Sequence, residues 1–244
     1  MPTKPNWLTI NNKGNDTGEI FIYGEITDEK WFEEDITPSW FKDQMAKLSD
    51  FKNINLFINS PGGGVFAGIT IYNIIKRQAA KVTAYIDGLA ASIASVIPME
   101  ASKIVIPKNA LMMIHNPIGI AIGSSEDMRK EADLLDRVKL SIKASYGRTK
   151  QKDDVLAKMM DEETWMTGEE AVKNGFADVL DEKKDIKACF QGDKFNINGL
   201  NVNIEKFNMF PKDRILSIAE TKKYERLTKA GEILNKIKMD LTRS

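Results

Sequence analysis

Four short stretches of the sequence carry groups that could act on a carbonyl carbon. In chain order they are a glycine-rich loop, NSPGGG at 59–64, a serine among small residues, Ser92, the only histidine of the chain, His115, and an acidic cluster, DEETW at 161–165. A serine hydrolase needs a hydroxyl nucleophile, a base, an acid that orients the base, and N–H donors for the oxyanion. Each stretch alone has an ordinary structural explanation, but together they supply one complete set.

The glycine-rich loop lies between an apolar run and a helical pattern. Its three glycines permit positive φ, and they can turn amide N–H groups toward a negative charge at a helix N-terminus. Val65 and Phe66 follow where a Walker loop has Lys and Ser or Thr, and the spacing does not match the dinucleotide pattern G-x-G-x-x-G. The alternative is a tight strand-to-helix turn.

Ser92 lies in DGLAASIAS, residues 87–95, at the start of a predicted helix. Small neighbours such as Ala91 and Ala94 would let a substrate approach its hydroxyl, and a helix N-terminus has free amide donors. The G-x-S-x-G elbow is absent because Gly88 lies four residues before the serine, so an α/β-hydrolase is not indicated. The alternative role is a helix cap or a small packing residue, and Ser95 is expected to face the helix's interior contacts.

His115 ends the apolar run ALMMIH, where parallel α/β sheets gather their functional groups. A carboxylate from the acidic cluster could accept a hydrogen bond from its Nδ1 and hold the useful tautomer. The alternatives are a satisfied core histidine and a solvated run of charges.

Composition narrows the class of protein. Lys plus Arg and Asp plus Glu both number 35, so neither nucleic acid nor an anionic membrane surface is expected as the main partner. One histidine and one cysteine, Cys189, give no disulfide, zinc or iron–sulfur framework, and no cofactor or metal is predicted. No apolar run approaches a membrane span and no secretory signal begins the sequence, so we expect a soluble cytoplasmic protein.

Alternating strands and helices position these groups. The hydrophobic periodicity predicts strands over 19–26, 54–58, 81–86, 103–107 and 110–115, with a turn at 87–90. It predicts helices over 39–50, 65–78, 91–101, 124–150, 153–160 and 167–175. This order predicts an α/β fold with largely parallel strands. We place a domain edge near residue 182, followed by an extension over 183–244 that is largely helical from about residue 211.

Four blocks of the sequence resemble the signature blocks of the Clp protease proteolytic subunit family. They are FINSPGGGVFAGITIYN, DGLAASIAS, LMMIHNP and ETWMTGEEAVKNGFAD, and the resemblance covers about residues 19–181. It implies a repeated ββα spiral of the kind that Clp proteases share with crotonases, with a protruding handle helix at 124–150. The wording of IYGEIT, YIDGLAASIASVI and MMIHNP is most similar to the Clp-related head-maturation proteases of tailed phages and prophages.

Carried over by position, the resemblance implies a serine endopeptidase with Ser92 as nucleophile and His115 as general base. Gly63, with Gly62 close by, would supply one oxyanion amide, and Ile93 the other. The family's triad aspartate falls on Glu163, a departure in side-chain length that leaves Asp161 and Glu162 as lesser candidates.

The resemblance also implies partners. Subunits would form a heptameric ring or a double ring around the active sites, with a polypeptide as substrate. The phage-like wording favours a capsid or scaffold protein as that substrate. Because the chain has no Walker motif, any ATP dependence would require a separate Clp-type ATPase.

Three other functions remain open from the sequence. A signal-peptide-peptidase-type protease has a similar N-S-P-G-G block but uses a Ser–Lys dyad, against which the histidine block counts. A crotonase-like acyl-CoA enzyme has paired oxyanion amides but no serine nucleophile. An inactive ring or scaffold subunit would not need a complete triad.

Overall fold

The computed structural model describes residues 8–9, 16–30, 32, 35–182, 188–191, 194–197 and 200–203. The strands are β1 Leu8–Thr9, β2 Thr17–Tyr23, β3 Asn53–Ser60, β4 Lys81–Ala91, β5 Lys103–Pro107, β6 Leu111–Ile114, β7 Thr164–Thr167, β8 Val179–Asp181, β9 Ala188–Gln191, β10 Lys194–Ile197 and β11 Leu200–Asn203. The helices are α1 Pro38–Lys47, α2 Val65–Lys76, α3 Ile93–Val96, α4 Ser125–Ser145, α5 Asp153–Asp161 and α6 Gly168–Lys173, with 3-10 turns at Ile97–Glu100 and Gly147–Thr149.

The central sheet has eight strands in the order β1-β2-β3-β4-β5-β8, and β6 and β7 extend it from β4. Strands β2, β3, β4, β5 and β8 pair in parallel, as do β4 and β6, whereas β1 and β7 are antiparallel to their neighbours. Parallel neighbours need crossover connections, and α1, α2 and α3 supply them. The predicted α/β class is confirmed.

Alternation along the strands separates the two faces of the sheet. One face contributes fully buried aliphatic side chains: Ile20, Ile22, Leu56, Ile58, Ala84 and Ile86. They belong to the same core as Phe41 of α1 and Ile71 of α2. On the other face Phe57 stacks between Phe21 and Tyr85, with ring centroids 4.8 and 5.1 Å apart. The period of two thus fixes which side chains point toward the helices.

Strand β4 is longer than the sequence pattern indicates. The turn expected at 87–90 is wrong, because the strand continues to Ala91. Its residues 83–85 pair with β5, and its residues 89–91 pair with β6. The second partner supplies backbone hydrogen bonds that outweigh the turn preference of Asp87 and Gly88.

Two helices differ clearly from the expectations. The helix expected over 91–101 is a single α turn, α3, followed by a 3-10 turn that contains Pro98, since proline has no N–H for the helical ladder. The helix expected over 124–150 ends as α4 at Ser145. None of the side chains at 125–137 is buried, which agrees with an element that projects from the core.

Six strands were not predicted: β1, β7, β8, β9, β10 and β11. Strand β7, only four residues long, pairs with β6 immediately after the acidic cluster. Strands β9, β10 and β11 form a separate antiparallel sheet within the extension. The helix expected from about residue 211 lies outside the described residues, and the domain edge near residue 182 remains a prediction. Among the described helices, none has the length and apolar character required to cross a bilayer.

Candidate active site

Ser92 occupies a strained corner between β4 and α3. Its φ of 55° and ψ of −131° lie where L-residues are rarely found, a conformation that costs about 1–3 kcal/mol. Its N–H donates to the carbonyl of Met113 on β6 at 3.0 Å, which ties the corner to the neighbouring strand. The strand–serine–helix arrangement is therefore that of a nucleophile elbow, although the flanking glycines of the usual motif are missing.

His115 follows β6 directly, and the pairing of Ala91 with Met113 places it beside the serine. Its Nε2 lies 2.8 Å from Ser92 Oγ, within hydrogen-bond distance. A neutral imidazole accepts from the hydroxyl at Nε2 only when its proton is on Nδ1. The useful tautomer therefore needs a group that favours a proton at Nδ1.

Glu163 faces the Nδ1 side of that ring. Its Oε2 lies 4.0 Å from His115 Nδ1, which is beyond a hydrogen bond but close enough for the charge to act. The residue is 7% exposed and has a φ of 48°, in the left-handed region. Its Oε1 accepts a hydrogen bond from Trp165 Nε1 at 3.1 Å.

Trp165 is a residue of the site that the sequence reasoning missed. It lies on β7, and its indole N–H finds Glu163 as an acceptor in a buried setting. A buried tryptophan needs such a partner, and the sequence ETW places a carboxylate two residues before it. This two-residue spacing is the sequence signal from which the contact between Trp165 and Glu163 could have been predicted.

The protonation of His115 is set by two opposing effects. Burial disfavours the imidazolium and lowers the pKa of His115, and the negative charge of Glu163 offsets part of that decrease. The net pKa lies below the usual value of 6.5, so the ring is neutral at pH 7. A neutral ring can accept the proton of Ser92 Oγ.

The other two acids of the cluster turn away from the histidine. Asp161 pairs with Lys139 and accepts from Asn116 Nδ2 at 2.8 Å, and both contacts lower its pKa. Glu162 lies 3.7 Å from Lys158 on the exposed surface. Glu163 is thus the acid that the structure brings next to His115.

The glycine loop packs directly against the serine corner. A Cβ on Gly62 would lie 2.7 Å from both Ser92 Cβ and Ala91 O, and the φ of 96° at this residue also favours glycine. The N–H of Gly62 donates to Ser60 Oγ at 3.1 Å. Within the described residues, neither the N–H of Gly63 nor that of Ile93 has an acceptor, so these two amides are free to bind an oxyanion.

A small pocket opens beside the Ser92–His115 pair. Apolar residues from the starts and ends of several elements form much of its lining: Val65, Ile93, Pro117, Ile142 and Tyr146. No group of three or more potential metal ligands is found in the described part of the chain.

Comparison with known proteins identifies the family of the chain. Residues 3–184 match the sequence model of the Clp protease family. The chain is 33% identical over 177 residues to the ATP-dependent Clp protease proteolytic subunit 1 of Chlamydia muridarum, covering 70% of this chain and 90% of that one. It is 35% identical over 141 residues to the ATP-dependent Clp protease proteolytic subunit of Ligilactobacillus salivarius, covering 56% and 71%. Since the family match spans most of its length, this chain belongs to the Clp protease family and is a serine endopeptidase.

Proposed function

We propose that Ser92, His115 and Glu163 are the catalytic triad and that Gly63 and Ile93 supply the oxyanion amides. The observation that carries the proposal is the 2.8 Å contact between His115 Nε2 and Ser92 Oγ at a strained strand-to-helix corner. His115 takes the serine proton as Oγ attacks the peptide carbonyl carbon, and the two amides bind the oxyanion. The peptide C–N bond then breaks as His115 protonates the leaving amine, and water hydrolyses the acyl-enzyme.

The test is the Ser92→Ala variant, measured with a fluorogenic peptide and with fluorophosphonate labelling. We expect loss of peptide cleavage and of the label, with unchanged circular dichroism. Ser102→Ala removes an exposed serine outside the site and is the matched control. Cleavage by Ser92→Ala at the wild-type rate would refute the triad.

The histidine contact favours the triad over a Ser–Lys dyad. In the described part of the chain, the hydroxyl of Ser92 is bonded to imidazole rather than to a lysine, and Lys139 pairs with Asp161. His115→Ala separates the two mechanisms, because only a dyad enzyme would keep its activity. Labelling of Ser92 by a fluorophosphonate would likewise count against crotonase-like chemistry.

We propose that the active form is a ring-shaped homo-oligomer, a heptameric ring or a double ring. Support comes from large apolar side chains on the surface after β6 and along α4: Ile118, Ile120, Ile122, Met128, Leu134 and Leu140. Exposed apolar patches of this kind mark interaction surfaces. Sedimentation velocity should give a mass of seven or fourteen subunits, and a 27.4 kDa monomer that cleaves peptides would contradict the proposal.

For the substrate we propose a phage capsid or scaffold protein, on the strength of the phage-like sequence blocks. The relatives named above are ATP-dependent proteolytic subunits, and their names favour a second candidate, a general peptidase fed by a Clp-type ATPase. Incubation with a native capsid precursor, without an ATPase or ATP, distinguishes the two. Cleavage at defined sites supports capsid processing, whereas cleavage of short peptides alone supports the ATPase-fed enzyme.

A further inference from the structure

A hydrogen-bonded chain of two buried hydroxyls ends at the backbone of the reactive serine. Ser95 Oγ lies 2.6 Å from the carbonyl oxygen of Ser92 and 2.7 Å from the hydroxyl of Tyr146, 51 residues further along the chain. Ser95 and Tyr146 are 0% and 1% exposed. Neither residue belongs to the triad, and neither supplies an oxyanion amide.

The direction of this chain follows from its last acceptor. A carbonyl oxygen can only accept, so Ser95 must donate its hydroxyl proton to Ser92 O, and Tyr146 must then donate to Ser95 Oγ. Burial raises the pKa of Tyr146, which keeps its phenol protonated and able to donate. The N–H of Ser95 also donates to Ser92 O, at 3.0 Å, so both lone pairs of that oxygen are occupied.

The carbonyl of Ser92 belongs to the same peptide unit as the N–H of Ile93. A trans peptide is planar, and its C=O and N–H point in opposite directions. Fixing the carbonyl oxygen therefore fixes the direction of the Ile93 N–H, which has no acceptor among the described residues. The φ of 55° and ψ of −131° at Ser92 leave this unit under strain that a rotation of the peptide plane would relieve.

We propose that Ser95 and Tyr146 are positioning residues that lock the peptide plane between Ser92 and Ile93, so that the Ile93 N–H stays aimed at the oxyanion. The proposal rests on the proposed triad and explains why two hydroxyls are buried beneath it. Neither hydroxyl touches the substrate's reacting atoms. Their effect passes entirely through the backbone amide.

The experiment compares three variants with the wild type: Ser95→Ala, Tyr146→Phe and the double variant. Ser95→Ala leaves the Tyr146 hydroxyl buried without its partner, so its melting temperature should fall, whereas the double variant removes both hydroxyls and should regain the stability of the wild type. We expect kcat to fall about 10- to 100-fold in Ser95→Ala and in the double variant, with KM little changed. This decrease in kcat is smaller than the one expected when a whole oxyanion donor is removed. Tyr146→Phe keeps the hydrogen bond from Ser95 to Ser92 O, so its kcat should fall less.

A peptide aldehyde supplies a second readout, because its hemiacetal oxygen needs the oxyanion amides whereas ground-state peptide binding does not. Its inhibition constant should rise in step with the loss of kcat. Thr149→Val is the matched control, since it removes another buried hydroxyl, one that donates to the carbonyl of Tyr146 at 2.8 Å. That control should change the melting temperature without changing the aldehyde constant relative to KM.

Two results would overturn the proposal. In one, the double variant regains both stability and wild-type kcat, which would make the hydroxyl pair purely structural. In the other, kcat and KM change together with no selective loss of aldehyde binding. Fluorophosphonate labelling of the wild type separates these results from failure of the triad itself, because an unlabelled Ser92 refutes the proposed site and this inference with it.

Discussion

Two of the three proposed triad residues have backbone conformations that residues other than glycine rarely adopt. Ser92 and Glu163 have positive φ values of 55° and 48°, and Lys150 is the other such non-glycine residue in the described part of the chain. Strained residues persist where the surrounding structure over-determines them, and they concentrate at active sites.

The position of the acid can be tested with two amide substitutions. We expect Glu163→Gln to lower kcat by about 10²- to 10⁴-fold, the upper figure being the loss when the acid of a known triad becomes its amide. Asp161→Asn is the matched control and should cost about fivefold at most, because Asp161 contacts Lys139 and Asn116 at the surface rather than the ring of His115. The opposite ranking in steady-state kinetics would transfer the role to Asp161.

The acidity of His115 predicts the pH dependence of the reaction. The base acts when neutral, so kcat/KM should fall as the pH drops through its pKa, and burial places that pKa below 6.5. Glu163 raises this pKa, so Glu163→Gln should move the acidic limb to still lower pH. Profiles of kcat/KM for both proteins check the sign, and a limb above 6.5 or a shift to higher pH would contradict it.

The glycine loop and the serine corner form one packed unit. Gly62 cannot accept a Cβ, because its neighbours there are the backbone of Ala91 and the Cβ of Ser92, both at 2.7 Å. Gly68 on α2 is equally confined, since its Cβ would lie 2.2 Å from Ile93 Cγ1. A loop, a helix and the elbow are thereby held in contact.

Gly62→Ala should damage the site through this contact. The new methyl group would displace the loop from the elbow, and the alanine would have to adopt a φ of 96°. We therefore expect a loss of stability of about 1–3 kcal/mol and a marked fall in kcat. Gly147→Ala is the control, because nothing lies within 4 Å of its added Cβ. Thermal unfolding and peptide cleavage measure the two effects, and equal behaviour of both variants would refute the packing argument.

Periodicity and the ends of strands account for what could be predicted. The apolar runs locate five of the strands. His115 is predicted as a functional residue because such groups gather where parallel strands end, and Ser92 because it begins a helix among small residues. Asp87 and Gly88 suggested a turn because of their residue types. A single sequence does not reveal that β6 pairs with the end of β4 and that the strand therefore continues. The resemblance favours Glu163 over Asp161 as the acid. The contact between Ser95 and Tyr146 spans 51 residues, and no sequence pattern predicts it.

The eight-stranded sheet is complete within the residues up to Glu182. Its last strand, β8, ends at Asp181, and the described strands of the extension pair only with one another. We therefore expect a variant that ends at Glu182 to fold and to cleave peptides with unchanged kcat. Loss of folding or of cleavage, measured by circular dichroism and a fluorogenic peptide, would place the domain edge further along the chain.

The pairing of β4 with β6 has a consequence for local unfolding. Ala91 and Met113 are partners in one ladder, so the proposed nucleophile and base lie just beyond the ends of adjacent strands, which run about 4.8 Å apart. Their separation is therefore a property of the hydrogen-bonded ladder. If the four-residue strand β6 frayed, Ser92 would lose its reactivity toward fluorophosphonates. Most amides of the sheet would still be protected from hydrogen exchange. Covalent reactivity of this serine can thus serve as a reporter on the pairing of β4 with β6.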